Sequence, residues 1–142
     1  MNRPGASWVA GRAVGTVLVV TSDLFFTARI RETARLTGTT VEFARSRDEL
    51  EARLAGSPPD LLILDLTIQG WDYPAIFAAL EGQEVRAPLL AFTTHVLAKS
   101  TQPYHGRCDR VVTKETFTQE LPLILKSGVN PRARVGARDN IG

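Results

Sequence analysis

Asp65 is the residue of this 142-residue chain with the strongest claim to chemistry. It closes the run Asp60-Leu61-Leu62-Ile63-Leu64-Asp65-Leu66, bounded by Pro58-Pro59 before and Gln69-Gly70 after. An apolar run that short reads as a strand covered on both faces, as in the centre of a parallel sheet. Its carboxylate then stands at the carboxyl edge of the sheet, where open α/β folds place their ligands. Other strand ends supply hydroxyls, a cation and a second acid: Thr21-Ser22-Asp23, Thr93-Thr94 and Thr113-Lys114. These are expected to face one crevice, where the plainest chemistry is an ion pair between Asp65 and Lys114.

The remaining reactive side chains lead elsewhere. Cys108 is the single cysteine, has no disulfide partner within the chain, and reads as a small buried hydrophobe. His95 reads as an exposed residue at a helix start, and His105 has no companion to make a metal site. No dinucleotide-binding or P-loop glycine pattern occurs. A flavodoxin would carry a phosphate loop where Leu24-Phe25-Phe26 stands, and a haloacid-dehalogenase-type phosphatase would have a second aspartate in place of Thr67. No enzyme is expected.

The elements that must position Asp65 follow from pattern and punctuation. Thr16–Thr21, Thr39–Phe43, Ala87–Phe92 and Cys108–Val112 read as strands beside the central one. Between them lie helical segments: one capped by Ser22 or Asp23 and stopped by Gly38, one opened by the capping box Ser46-Arg47-Asp48-Glu49, and one started near Pro74. The segment from His95 to Gly106 should form a short or frayed helix because of Pro103, and Pro122 suggests that the last helix begins about Thr118. Strands and helices in alternation predict an α/β fold, a doubly wound five-stranded parallel sheet of order 2-1-3-4-5 in a flavodoxin-like three-layer sandwich. Asp65 then sits at the switch point beside the first strand.

Strand by strand, the chain resembles the receiver domain of bacterial two-component response regulators, the CheY-like proteins, over nearly all of 16–128. The resemblance implies that Asp65 matches the phosphoacceptor, with Thr93 and Lys114 as the hydroxyl and ammonium that hold the phosphoryl oxygens. A carboxylate attacking phosphorus needs its charge and the phosphoryl charge offset by a divalent cation and a fixed ammonium. The family's metal-holding acid pair falls on Thr21 and Ser22, which leaves Asp23 and Asp65 as weak metal candidates and makes Mg²⁺ doubtful. The family's switch aromatic is Val111 here, and the proline after its lysine is Glu115. The chain thus looks like an atypical or pseudo-receiver.

Composition limits the rest. With 44% hydrophobic residues the chain suits one compact domain. No apolar run approaches the roughly 18 residues of a membrane span, so a cytoplasmic location is expected. A leader over 1–15, with Trp8 as its one candidate for docking, and a tail over 129–142 carry +2 each, so the net +2 leaves −2 for 16–128. The expected function is a stand-alone signalling module acting by protein–protein contact, independent of phosphorylation. Its partner is a protein or a second copy, met through the face of helix 4, strand 5 and helix 5 or through helix 1. Trp71, Tyr104 and Val111 are the candidate contact residues. The alternatives are a genuine phospho-receiver served by a histidine kinase, with phosphorylation on Asp65, and nucleic-acid binding by the basic tails.

Overall fold

A computed structural model describes residues 15–84 and 86–127. The leader apart from Gly15, and the tail, lie outside the described residues, as do Trp8 and the arginines on which the nucleic-acid reading rests. Five parallel strands, β1 (Thr16–Val20), β2 (Thr40–Ala44), β3 (Leu61–Asp65), β4 (Leu89–Thr93) and β5 (Arg110–Thr113), lie in the order β2-β1-β3-β4-β5. This is the expected doubly wound order, and β3 is central. All five of its residues are buried, because helices cover both faces.

Five helices alternate with the strands: α1 (Leu24–Thr37), α2 (Arg47–Ala55), α3 (Tyr73–Glu81), α4 (Ala98–His105) and α5 (Lys114–Ser127). On one face Phe26 and Ile30 of α1 and Phe117, Leu121 and Ile124 of α5 pack on Val19, Ile63, Phe92 and Val112. On the other, Leu50 of α2 and Ile76, Phe77 and Leu80 of α3 pack on Leu18, Leu62, Leu64 and Val111. Strand residues alternate between these two cores, as the two-residue period of a strand requires. Asp65 follows Ile63 in that alternation and so belongs to the α1–α5 side.

Local chemistry explains the boundaries. Asp23 caps α1, its Oδ1 accepting from the Phe26 N–H at 3.0 Å. Gly38 ends the helix at φ 71°, where its N–H closes on the Ala34 and Arg35 carbonyls. In the α2 capping box Ser46 accepts from the Glu49 N–H, but Glu49 reaches back one residue further, to the Arg45 N–H at 2.8 Å. The eight residues of α4 match the short helix that Pro103 predicts.

The start of α5 differs from expectation. It begins at Lys114, directly after β5, and carries Pro122 in its interior. Thr113 explains the early start: its Oγ1 accepts from the Thr116 N–H at 3.1 Å, so a threonine read as a strand end also satisfies a donor of the first helical turn. Pro122 stands on the exposed side, where one lost ladder bond is best tolerated.

Candidate functional site

Asp65 is wholly buried, and the three groups that hold its carboxylate are all supplied by threonines. Thr21, the residue after β1, donates its hydroxyl to Oδ2 at 2.6 Å. Thr67 donates its hydroxyl to Oδ1 at 2.6 Å and its backbone N–H to the same oxygen at 2.8 Å. The register places β1 beside β3, with Val20 opposite Leu64, so the next residues, Thr21 and Asp65, meet across the switch point. Charge-assisted hydrogen bonds of this length offset much of the cost of burying a carboxylate.

The Asp65 backbone is tied as well. Tyr73, at the first position of α3, donates its phenol to the Asp65 carbonyl at 2.7 Å and accepts from the Ile68 N–H at 3.1 Å. The β3–α3 loop is therefore anchored to the strand by the helix that follows it, with Gly70 at φ 82° turning the chain at its tip. Burial pushes the Tyr73 phenol far above the ordinary tyrosine range, and the nearby Asp65 charge pushes the same way.

Lys114 does not pair with Asp65, contrary to the ion pair expected from the sequence. Its Nζ lies 3.1 Å from Asp23 Oδ2 and 4.6 Å from the centroid of the Phe26 ring. The Phe26 N–H at the helix start holds the Asp23 carboxyl below its usual range, and Lys114 adds to that effect. The pair belongs to an open cleft of about 470 Å³ whose walls include Phe25, Arg29 and Thr118.

Thr93 is buried and turned away from Asp65. Its Oγ1 receives a 3.3 Å contact from the Thr101 hydroxyl, which lies 2.8 Å from Nε2 of His105. Alternation along β4 explains this, because Thr93 follows Ala91 onto the α3–α4 side whereas Asp65 faces α1 and α5. The carboxyl edge thus brings Asp65 together with Thr21 and Thr67, Asp23 with Lys114, and Thr93 with α4.

A Mg²⁺ ion takes a near-octahedral oxygen set and holds to proteins through one or two carboxylates. The site offers the one carboxylate of Asp65, whose two oxygens already accept three donors. The other acid at the edge, Asp23, is engaged by Lys114 and the Phe26 N–H. Among the described residues no group of three or more His, Cys, Asp or Glu side chains could hold a metal.

Of the candidate contact residues, Val111 is 2% exposed in the α2–α3 core and presents no surface for contact, a correction to the sequence reading. Although β5 is an edge strand, the Val111 side chain turns onto the face that α2 and α3 cover and is buried there. Trp71 and Tyr104 are partly exposed and form an aromatic row, with ring centroids 6.0 Å apart for Trp71–Tyr73 and 5.4 Å for Tyr73–Tyr104. Cys108 is buried, with Sγ 3.5 Å from the Tyr104 carbonyl, and His95 is exposed just before α4, both as expected. Thr67 and Tyr73 are the residues of this site that sequence reasoning did not assign. An aspartate followed two residues later by a threonine is a self-capping turn signal that could have flagged Thr67.

No protein-family model matches the chain, and no curated protein matches it. Solved structures do. The chemotaxis response regulator CheY4 of Vibrio cholerae is 20% identical, with a TM-score of 0.66 over 80% of this chain and 97% of its own. The receiver domain of the sensor histidine kinase PA1611 from Pseudomonas aeruginosa, solved with magnesium in its active-site cleft, gives 19%, 0.67, 80% and 95%. The signal receiver domain of an HD domain-containing protein from Pseudomonas fluorescens gives 24%, 0.65, 82% and 86%. No helix among the described residues is long and apolar enough to cross a membrane. With its strand order, its switch-point aspartate and these likenesses, the chain has the fold of response-regulator receiver domains.

Proposed function

We propose that the chain is a receiver-type signalling module of the two-component kind that acts through protein contacts, without phosphorylation of Asp65 and without Mg²⁺. One observation carries this reading: both oxygens of the buried Asp65 carboxylate are occupied by the hydroxyls of Thr21 and Thr67. A nucleophilic carboxylate needs an oxygen open to the phosphorus and a cation nearby. Here the ammonium that could serve, Lys114, is committed to Asp23. In this reading Asp65 is a structural charge that ties β1, β3 and the β3–α3 loop together.

One contact surface lies on helix α1. Three of the exposed large apolar side chains lie on it, Leu24, Phe25 and Leu36, and Phe25 is 92% exposed. Phe25 and Leu36 share one stripe with Arg29 at helical spacing, the pattern of a face that meets a partner.

Intact-mass spectrometry after incubation with Mg²⁺ and a small phosphodonor tests the reading. The expected result is an unmodified mass and unchanged Trp71 emission. A phosphoryl adduct that disappears in Asp65→Asn would make the chain a phospho-receiver instead.

A further inference from the structure

We propose that the open edge of β2 is a docking site for an extended, acidic segment of a protein partner, which adds to the sheet as an extra strand. The inference rests on the protein-contact part of the function above and adds a contact surface separate from the Phe25–Leu36 stripe of α1. It makes no use of Asp65.

The ladder fixes which backbone groups face outward. The Thr40 N–H bonds the Gly15 carbonyl and the Ala44 carbonyl accepts from the Thr21 N–H, so Thr40, Glu42 and Ala44 turn towards β1. Val41 and Phe43 therefore turn their N–H and C=O groups away from the sheet. Nε of Arg53 covers the Phe43 carbonyl at 3.3 Å. The two outward N–H groups have no partner among the described residues, and they stand two residues apart, a spacing of roughly 6.6 Å that another strand repeats and a single small anion does not.

The walls set the side-chain preference. A cleft of about 720 Å³ runs along this edge between α1 and α2. On the α1 side lie exposed Leu24, half-buried Val41 and Phe43, and Thr27, whose buried Oγ1 has no hydrogen-bond partner. On the α2 side lie Arg45 and Arg53. Arg53 is shared with Glu42 at 3.8 Å and Glu49 is bonded to the Arg45 N–H, but the Arg45 guanidinium has no carboxylate partner among the described residues. Neither has Arg31, which stacks on Phe43 at 4.8 Å. A strand laid here would turn alternate side chains towards an apolar wall and towards guanidinium groups. Alternating apolar and acidic residues match that pattern.

A second copy of the chain fits poorly. Antiparallel pairing of β2 with its own copy about Glu42 would set Glu42 against Glu42 and bring the arginines of both clefts together, and like charges directly opposite destabilise a pair.

The test titrates the ¹⁵N-labelled full chain with a blocked peptide alternating glutamate and valine, and with its lysine-for-glutamate counterpart. Binding should shift the Val41 and Phe43 amide signals and slow their hydrogen exchange by roughly tenfold or more. Arg45→Glu, at an exposed site, should weaken binding by roughly tenfold, and Arg31→Gln should weaken it too. Absence of binding, shifts confined to other elements, equal binding of the lysine peptide, or an unaffected Arg45→Glu would each overturn the proposal. So would concentration-dependent dimerisation that protects the same amides, which would assign the edge to a second copy. A phosphorylated Asp65 with peptide binding intact would overturn only the phosphorylation-independent reading.

Discussion

Asp23 and Lys114 meet at 3.1 Å across the gap between α1 and α5, and the same carboxylate caps α1 through the Phe26 N–H. One side chain thus serves as helix cap and as counter-ion, and the two roles can be separated by substitution. Asp23→Asn keeps an oxygen for the cap and loses the charge, whereas Asp23→Ala loses both. Urea denaturation should show Ala costing ~1 kcal/mol more than Asn, the contribution of the cap. Because folding lowers the Asp23 pKa below its unfolded value of 3.8, its stabilisation is complete above that value. It fades as pH falls through the folded-state pKa. Wild type should therefore lose stability below about pH 4 more steeply than Asp23→Asn, and matching acid limbs would refute the assignment.

Thr21 donates its hydroxyl to the buried Asp65 carboxylate. The double substitution Thr21→Asp and Ser22→Asp replaces that donor by charge beside a buried acid. Without Mg²⁺ the variant should be less stable by roughly 1–3 kcal/mol, and Mg²⁺ should restore part of the loss. The wild-type denaturation midpoint should not move with Mg²⁺. An equal rise in both proteins would show that the native site binds the ion.

Tyr73→Phe removes the hydroxyl that joins the Asp65 carbonyl to the Ile68 N–H, at a cost of about 1–3 kcal/mol. Since Trp71 packs on Tyr73 in that loop, its emission should shift to the red. The raised phenol pKa adds a pH dependence. The buried phenol stabilises the fold fully below the unfolded tyrosine value near 10, and that contribution is lost as pH rises above it. Tyr73→Phe should flatten the alkaline limb of the stability profile.

Phe25 and Phe26 are neighbours in sequence and opposites in environment. Phe26 is buried, 4.9 Å from Phe92 and 5.5 Å from Phe117 between ring centroids, while Phe25 is 92% exposed. Phe26→Ala should cost about 3–5 kcal/mol and Phe25→Ala less than about 0.5 kcal/mol by denaturant unfolding. A large loss at Phe25 would mean that it packs within the chain and does not serve a partner.

Much of this architecture was readable from the sequence, for physical reasons. The run Leu61–Leu64 had to be covered on both faces, and a sheet of alternating strands and helices then fixed the order and the edge at which Asp65 stands. The partners of that carboxylate were less legible. A strand end shows which residues are near, but not which way each side chain turns, and one step of alternation sends Thr93 to α4 and leaves Asp65 on the α1–α5 side. Lys114 reads as a counter-ion for Asp65 because nothing in the sequence ranks that carboxylate against Asp23, its actual partner. Val111 was a position carried over by resemblance, and its burial follows from the packing of β5. The start of α5 is less legible, because Pro122 points to a later helix start whereas the Thr113 hydroxyl caps the first turn at Lys114.

The two prolines inside helices have a consequence for how the domain breathes. Pro103 in α4 and Pro122 in α5 each withhold one rung from a helical ladder, and both helices follow or precede β5. On the β2 side, α1 and α2 contain no proline and carry side-chain caps. Local opening should therefore be easier around β5 than around β2, with amides of α4 exchanging before those of α1. The molecule would carry its softest helices beside one edge of the sheet, β5, and its docking edge, β2, at the other, so a segment captured there would dock against the firmer half.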